Sequence, residues 1–175
     1  MRKIPRPAEG EYAPHAIMYI GLIPDDGAVL KHMKANAKAT KERILEMSPG
    51  ALTARYAEGK WTVKEIVAHL SDDERIYAYR ALRFARNDRT ELPGFEEKDY
   101  ARYSGANDRS IQDLLKEFAA VRQATISLFE GLPEESFLRR GIANGSPMSV
   151  RAAAYHIAGH ELHHRNIIET RYAGL

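Results

Sequence analysis

Four stretches of this 175-residue chain repeat their apolar residues with the period of an α-helix, which leaves few architectures open. The first runs from about Asp25 to Met47. Val29, Leu30, Met33, Ala37, Thr40, Ile44 and Leu45 share one face there, and Ser48-Pro49-Gly50 stops it. The second opens at "WTVKEIVAHL", where Thr62 and Glu65 have the spacing of a capping box and Trp61 can staple onto Ile66. It continues to about Arg86. The third extends from about Ser110, with Asp113 as its capping partner, to Glu130, and the fourth from near Ser149 to about Tyr172. Amphipathic helices of roughly twenty residues bury their apolar faces by packing on one another, so the expected fold is all-α, a four-helix bundle. A long crossover loop, Asn87 to Arg109, joins the second and third helices, and Asn144-Gly145 is a two-residue turn signal for a small hairpin before the last helix. Residues 1–24 contain "AIMYIGLI", too apolar for a free tail, and are expected to lie across the bundle. The length suits one domain, 1–175.

The charges are nearly balanced, with 26 Lys+Arg against 24 Asp+Glu, and they are scattered. No basic stripe interleaved with aromatics marks a nucleic-acid surface, so no nucleic-acid partner is expected. Cysteine is absent, which excludes disulfides, thiolate metal sites and a cysteine nucleophile and fits a reducing cytoplasm. The opening "MRKIPRPAEGEYAP" is not followed by a signal-peptide core. The apolar run Ala16 to Ile23 is broken by Gly21 and ends at Pro24, far below the ~20 residues that span a bilayer. These features predict a cytoplasmic protein without a membrane partner.

The fourth segment carries the chemistry. On a helical wheel Val150, Ala153, Ala154, Ile157 and Ile168 form its apolar stripe, and His160, Glu161 and His164 fall inside it. His156 and His163 sit at its edge. Ionisable groups in a core stripe are costly unless something satisfies them. Two histidines at i, i+4 stack on one face, and a metal ion is the simplest partner for both. "HELHH" is also a literal H-E-x-x-H, the zincin pattern, in which the glutamate activates water. A zincin takes its third ligand from downstream, but the extended pattern meets Thr170, and Glu169 is too close along the same helix. The protease match therefore looks coincidental, and Glu161 is expected in a structural ion pair, as is Glu74 of the second helix. A third ligand has to come from upstream. His32 falls on a polar face and His15 in an irregular segment. His69 lies on the flank of the second helix's stripe (Val63, Ile66, Val67, Leu70, Tyr77, Ala81), with Asp73 one turn on and able to orient its ring. A plain surface pair of His69 with Asp73 fits the spacing equally well.

"WTVKEIVAHLSDDERIYAYR" followed by "SVRAAAYHIAGHELHHRNII" resembles the DinB-like superfamily, including its YfiT-type metal-dependent hydrolases. The opening "RPAEGEYAP…YIGLIP" and the middle "LLKEFAAVRQATISLFEGLPEESF" extend the likeness over nearly the whole chain. Its most specific part is a histidine on the second helix combined with H-x-x-x-H on the fourth. The resemblance implies that His69, His160 and His164 hold one divalent metal with positions open to water or substrate, and that the protein is a homodimer. Zinc and nickel lead the choice of metal, and iron and manganese also suit three imidazoles. Three functions follow, in descending order. The first is transfer of a low-molecular-weight thiol, of bacillithiol or mycothiol type, to a small electrophile. The second is metal-dependent hydrolysis of a small molecule. The third is a non-enzymatic metal-binding or ligand-sensing bundle.

Overall fold

The structure is a computed structural model that describes residues 1–172 and 174. Its helices begin where a side-chain oxygen stands in for a missing backbone acceptor. Helix α4 (Val63–Ala85) opens with the full capping box of Thr62 and Glu65. Ser110 accepts from the Asp113 backbone N–H at the start of α6 (Ile111–Gly131), and Ser149 does the same for Ala152 at the start of α7 (Val150–Arg171). The first long helix, α2 (Val29–Leu45), starts at Val29 rather than Asp25. Asp26 accepts from the Ala28 N–H at 2.8 Å and Gly27 takes a φ of 70°, so a turn occupies the residues expected to be helical. Leu45, placed on the apolar face by the wheel, is exposed at the frayed end. Ser48-Pro49-Gly50 stops α2 and also starts a short helix α3 (Pro49–Thr53), with Ser48 as its cap. Two further short helices were not legible in the pattern: α1 (Ile17–Ile20) and α5 (Glu97–Tyr103), the latter inside the crossover loop.

The four long helices form the bundle, with α4 and α2 each packed against α6 and α7. The apolar core has two parts. One gathers Ile20, Leu30, Phe84, Phe129 and Tyr155, and the other Ile44, Val63, Ile66, Phe118 and Ile168. Along every long helix a polar stretch separates them: Thr40 on α2, His69 to Glu74 on α4, Arg122 on α6, and His160 to His164 on α7. Arg122 joins this layer together. Its guanidinium donates to Glu74 at 2.7 Å, to Glu161 at 2.5 Å and to the Met33 carbonyl at 2.8 Å, and so reaches all three other long helices. The inward acids expected to form ion pairs do so, with one arginine between them. Burial opposes the guanidinium's charge, but Glu161 and Glu74 outweigh it and hold Arg122 protonated.

The N-terminal segment lies on the bundle, as its apolar content requires. The Tyr155 hydroxyl donates to the Ile4 carbonyl at 3.0 Å, the Ser149 N–H donates to the Glu11 carbonyl at 2.9 Å, and Arg151 pairs with the Glu11 carboxylate. Helix α1 approaches α7 so closely that a Cβ on Gly159 would stand 2.1 Å from the Tyr19 carbonyl oxygen. The expected hairpin is present as antiparallel strands β1 (Arg140–Ala143) and β2 (Ser146–Ser149). Asn144 and Gly145 both have positive φ, 51° and 69°, as a two-residue primed turn demands. Leu92 of the crossover loop bonds to both Ile142 and Asn144, which pins the loop to the hairpin.

Two substitutions test this packing by chemical denaturation. Gly159→Ala has to push α1 off α7 and should lower stability by about 1–3 kcal/mol, the range for overpacked sites. Glu161→Gln breaks one arm of a fully buried charge network and should cost about 3–5 kcal/mol. A Gly159→Ala protein as stable as the parent would contradict the close approach.

Candidate metal centre

Helices α4 and α7 pack along their length, so the turn of α4 carrying His69 faces the turn of α7 carrying His160 and His164. The three buried rings converge. His69 Nε2 lies 3.0 Å from His160 Nε2, and His164 Nε2 lies 3.1 Å from the same atom. The second nitrogen of His160, Nδ1, lies 3.2 Å from Asp73 Oδ2. A proton on Nδ1, the nitrogen beside Asp73, leaves the His160 Nε2 lone pair free toward the other two rings. Three imidazole nitrogens facing one point form a donor set for a divalent transition metal. Tetrahedral zinc with bonds of ~2.0–2.1 Å spaces adjacent ligands ~3.3 Å apart, within a few tenths of an ångström of these separations. The residues fit the group.

A second set overlaps the first. Asp73, His156 and His160 also bring one ligand atom each within 4.8 Å of the others. It would use His160 Nδ1, the atom that faces Asp73, whereas the three-histidine set uses Nε2. A neutral imidazole has one lone pair, so it serves one set at a time.

The sequence allowed Asp73 either to orient His69 or to form a plain surface pair with it, and it does neither. Its Oδ2 instead hydrogen-bonds His156 Nε2 at 3.2 Å and lies 3.2 Å from His160 Nδ1. The reason is geometric. His69 and Asp73 stand one turn apart on the face of α4 that meets α7, and each finds a partner across the interface rather than along its own helix. His156, expected at the edge of the stripe, is buried and stacked on Tyr77, with ring centroids 3.6 Å apart and planes 6° from parallel. His163 is half-buried and meets the edge of Tyr19. His32 pairs with Asp26 away from the site, and His15 is exposed. Glu161 points to Arg122, so the H-E-x-x-H glutamate is tied up in the bundle's interior. Two aromatics complete the centre. The Trp61 ring packs 4.6 Å from His69 and stacks 6.2 Å from His164, and Tyr19 sets its edge against His160 at 5.2 Å.

Burial lowers the pKa of all three histidines. For His160 and His164 the shift is well below 6.5, reinforced by the neighbouring rings, while Asp73 and Glu97 partly counter it at His69. The rings are neutral at pH 7 and keep their lone pairs. Two clefts border the centre. One of about 390 Å³ is lined by Tyr12, Tyr19, Tyr77, Asp73, His156 and His160. The other, of about 210 Å³, is lined by Tyr56, Trp61, Glu97, His164 and Tyr172.

The family model of the DinB superfamily matches residues 32–168. The chain belongs to that superfamily. A protein of Oceanobacillus iheyensis named a putative metal-dependent hydrolase is 26% identical over 140 residues, covering 77% of this chain and 78% of the relative. A protein of Geobacillus thermodenitrificans with the same name is 29% identical over 132 residues, covering 72% of each. Among solved structures, YfiT from Bacillus subtilis superposes with a TM-score of 0.73 at 18% identity, over 83% of this chain and 84% of that one. It is described as a probable metal-dependent hydrolase with an unusual four-helix bundle topology. At that identity the likeness concerns the fold, and it agrees with the bundle found for this DinB member. Among the described residues no helix is long and apolar enough to cross a membrane.

Sequence reasoning missed Tyr19, Tyr77, His156 and Arg122 as parts of this layer. His156 had a signal, since its spacing to His160 repeats that of His160 to His164. Tyr19 had none, because its segment is placed by tertiary packing.

The lowered histidine pKa values fix a pH dependence. Below about pH 6.5 the unfolded chain takes up protons at these positions and the folded chain does not, so stability falls as pH falls. The metal-free protein should therefore show a melting temperature that declines between about pH 6.5 and 5, and a His164→Leu variant should decline less.

Proposed function

We propose that this DinB-superfamily protein is a metal-dependent hydrolase of a small molecule, with one divalent ion held by Nε2 of His69, His160 and His164. The observation that carries the reading is the placement of His160: Nδ1 lies 3.2 Å from Asp73 Oδ2, and Nε2 faces two imidazole nitrogens at 3.0 and 3.1 Å. The naming of the relatives as hydrolases supports the reaction class. A divalent ion there supplies Lewis acidity and makes water a nucleophile near neutral pH. The chain's own residues do the rest. Asp73, 3.2 Å from His160 Nδ1, favours a proton on that nitrogen, the role a carboxylate plays behind a ligating histidine. Trp61 covers His69 and keeps water from that side, and Tyr19 and Tyr77 wall the larger cleft. Glu161 takes no part, because Arg122 holds it. Three imidazoles suit zinc or nickel and admit iron or manganese.

A second reading, transfer of a low-molecular-weight thiol to an electrophile, draws support from the two separate clefts. One ends at His160 and the other at His164, as a reaction with two substrates would need. Turnover that depends on an added small thiol would select it over hydrolysis.

Elemental analysis of the purified protein should find close to one metal per chain. His160→Ala should abolish it, and Asp73→Asn should weaken binding about 10- to 100-fold, as loss of a supporting carboxylate does. His156→Gln should keep its metal. Loss of metal in His156→Gln, with retention in His69→Gln, would move the ion to the Asp73–His156–His160 set.

A further inference from the structure

Among the described residues two arginines are buried in this bundle, and they are treated differently. Arg122 is 4% exposed and meets two carboxylates. Arg80, on α4, is 3% exposed, and no carboxylate among the described residues comes within ion-pairing distance of it. Its one hydrogen bond among them runs from an Nη2 N–H to the Pro93 carbonyl at 2.9 Å. A guanidinium has five N–H donors, and those of Arg80 not bonded to Pro93 are open to the cleft beside Tyr77. A buried charge without a counter-ion is unfavourable, so an anion supplied from outside the chain would stabilise it.

Arg80 has a specific position. Its Cζ lies 4.9 Å from the centroid of Tyr77, the ring that stacks on His156. Arg80, Tyr77, His156 and His160 all line the 390 Å³ cleft. Guanidinium and imidazole thus flank one phenol ring, with the proposed metal ligand His160 next in line. The remaining walls include the rings of Tyr12, Tyr19 and Phe95 among small, polar and acidic residues.

We propose that the larger cleft binds a small carboxylate monoanion, held by a fork of N–H groups on Arg80, with its reactive end toward His160. This rests on the hydrolase reading for which end reacts, but not for the anion site itself. A planar guanidinium matches a carboxylate in a bidentate pair. Charge argues for a monoanion rather than a phosphate dianion, because Asp73, Glu96 and Glu97 also line the cleft. Glu96 and Glu97 are exposed at its mouth and stay beyond pairing distance of Arg80, so they exclude excess negative charge without neutralising the arginine.

The test uses acetate, benzoate and glutarate monoamide, each against the corresponding neutral amide, with inorganic phosphate as a further probe. Binding is measured by calorimetry on metal-loaded and chelator-stripped protein. At least one carboxylate should bind at least tenfold tighter than its amide in both forms. Arg80→Met should remove that preference, and Arg80→Lys should restore part of it. Arg80→Met should not lower the melting temperature of the ligand-free protein, because it removes an uncompensated charge. If Arg80 only ties α4 to the loop at Pro93, Arg80→Met will melt lower and leave the preference intact. That result, absence of any Arg80-dependent preference, or tighter binding of phosphate would each overturn the proposal. A preference seen only with metal present would assign the anion to the ion instead. Failure of metal binding would leave the stripped-protein result standing, so the two readings fail separately.

Discussion

Arg122 carries a full charge into the middle of the bundle, and the arrangement of the long helices depends on how that charge is met. It leaves α6 and reaches Glu74 on α4, Glu161 on α7 and a carbonyl of α2. Coulombic attraction is strong where water is excluded, and the cost of an unpaired member is equally large. The network therefore sets the rotation and height of each helix relative to the others. Apolar packing above and below tolerates small slips, whereas a bidentate carboxylate pair does not. With α4 and α7 held in this register, His69 on one helix stands opposite His160 on the other.

The polar layer also explains why the histidines can be there at all. A bundle with apolar residues throughout would have no reason to place ionisable groups at its centre. Here the neighbouring positions already belong to a hydrogen-bonded layer, and Asp73 Oδ2 stands 3.2 Å from both His156 Nε2 and His160 Nδ1. His69 and His164 have buried Nδ1 atoms without protein partners among the described residues, and packing against Trp61 holds their rings. The centre is thus asymmetric, with one ring beside a carboxylate and two held by packing.

Much of this was legible in the sequence because it is local. Helical period, the caps at Thr62, Ser110 and Ser149, and the Asn144-Gly145 turn are written within a few residues of where they act. The inward position of His160, Glu161 and His164 follows from the wheel alone. What the wheel does not contain is the partner helix. Asp73 was read against His69, its neighbour along α4, while the packed structure gives it His160 and His156 across the interface. His156 looked marginal on its own helix and is buried because Tyr77 covers it. Helix α5 and the late start of α2 escaped notice for the same reason: short segments take their form from what they rest on.

The N-terminal strap has a consequence for the order in which the molecule is assembled. Its contacts with α7 join residues 140 and 151 positions apart, between Glu11 and Arg151 and between Ile4 and Tyr155. Contacts of such long range form late, because closing the chain over that span has to precede any gain from them. Tyr12 and Tyr19, on this strap, form one wall of the larger cleft. A nascent chain with α2, α4 and α6 already outside the ribosome holds His69 but neither the other two histidines nor the surface on which the strap docks. The strap, made before the rest of the bundle, is therefore among the last parts to reach its place, and the cleft acquires its wall only once α7 is complete.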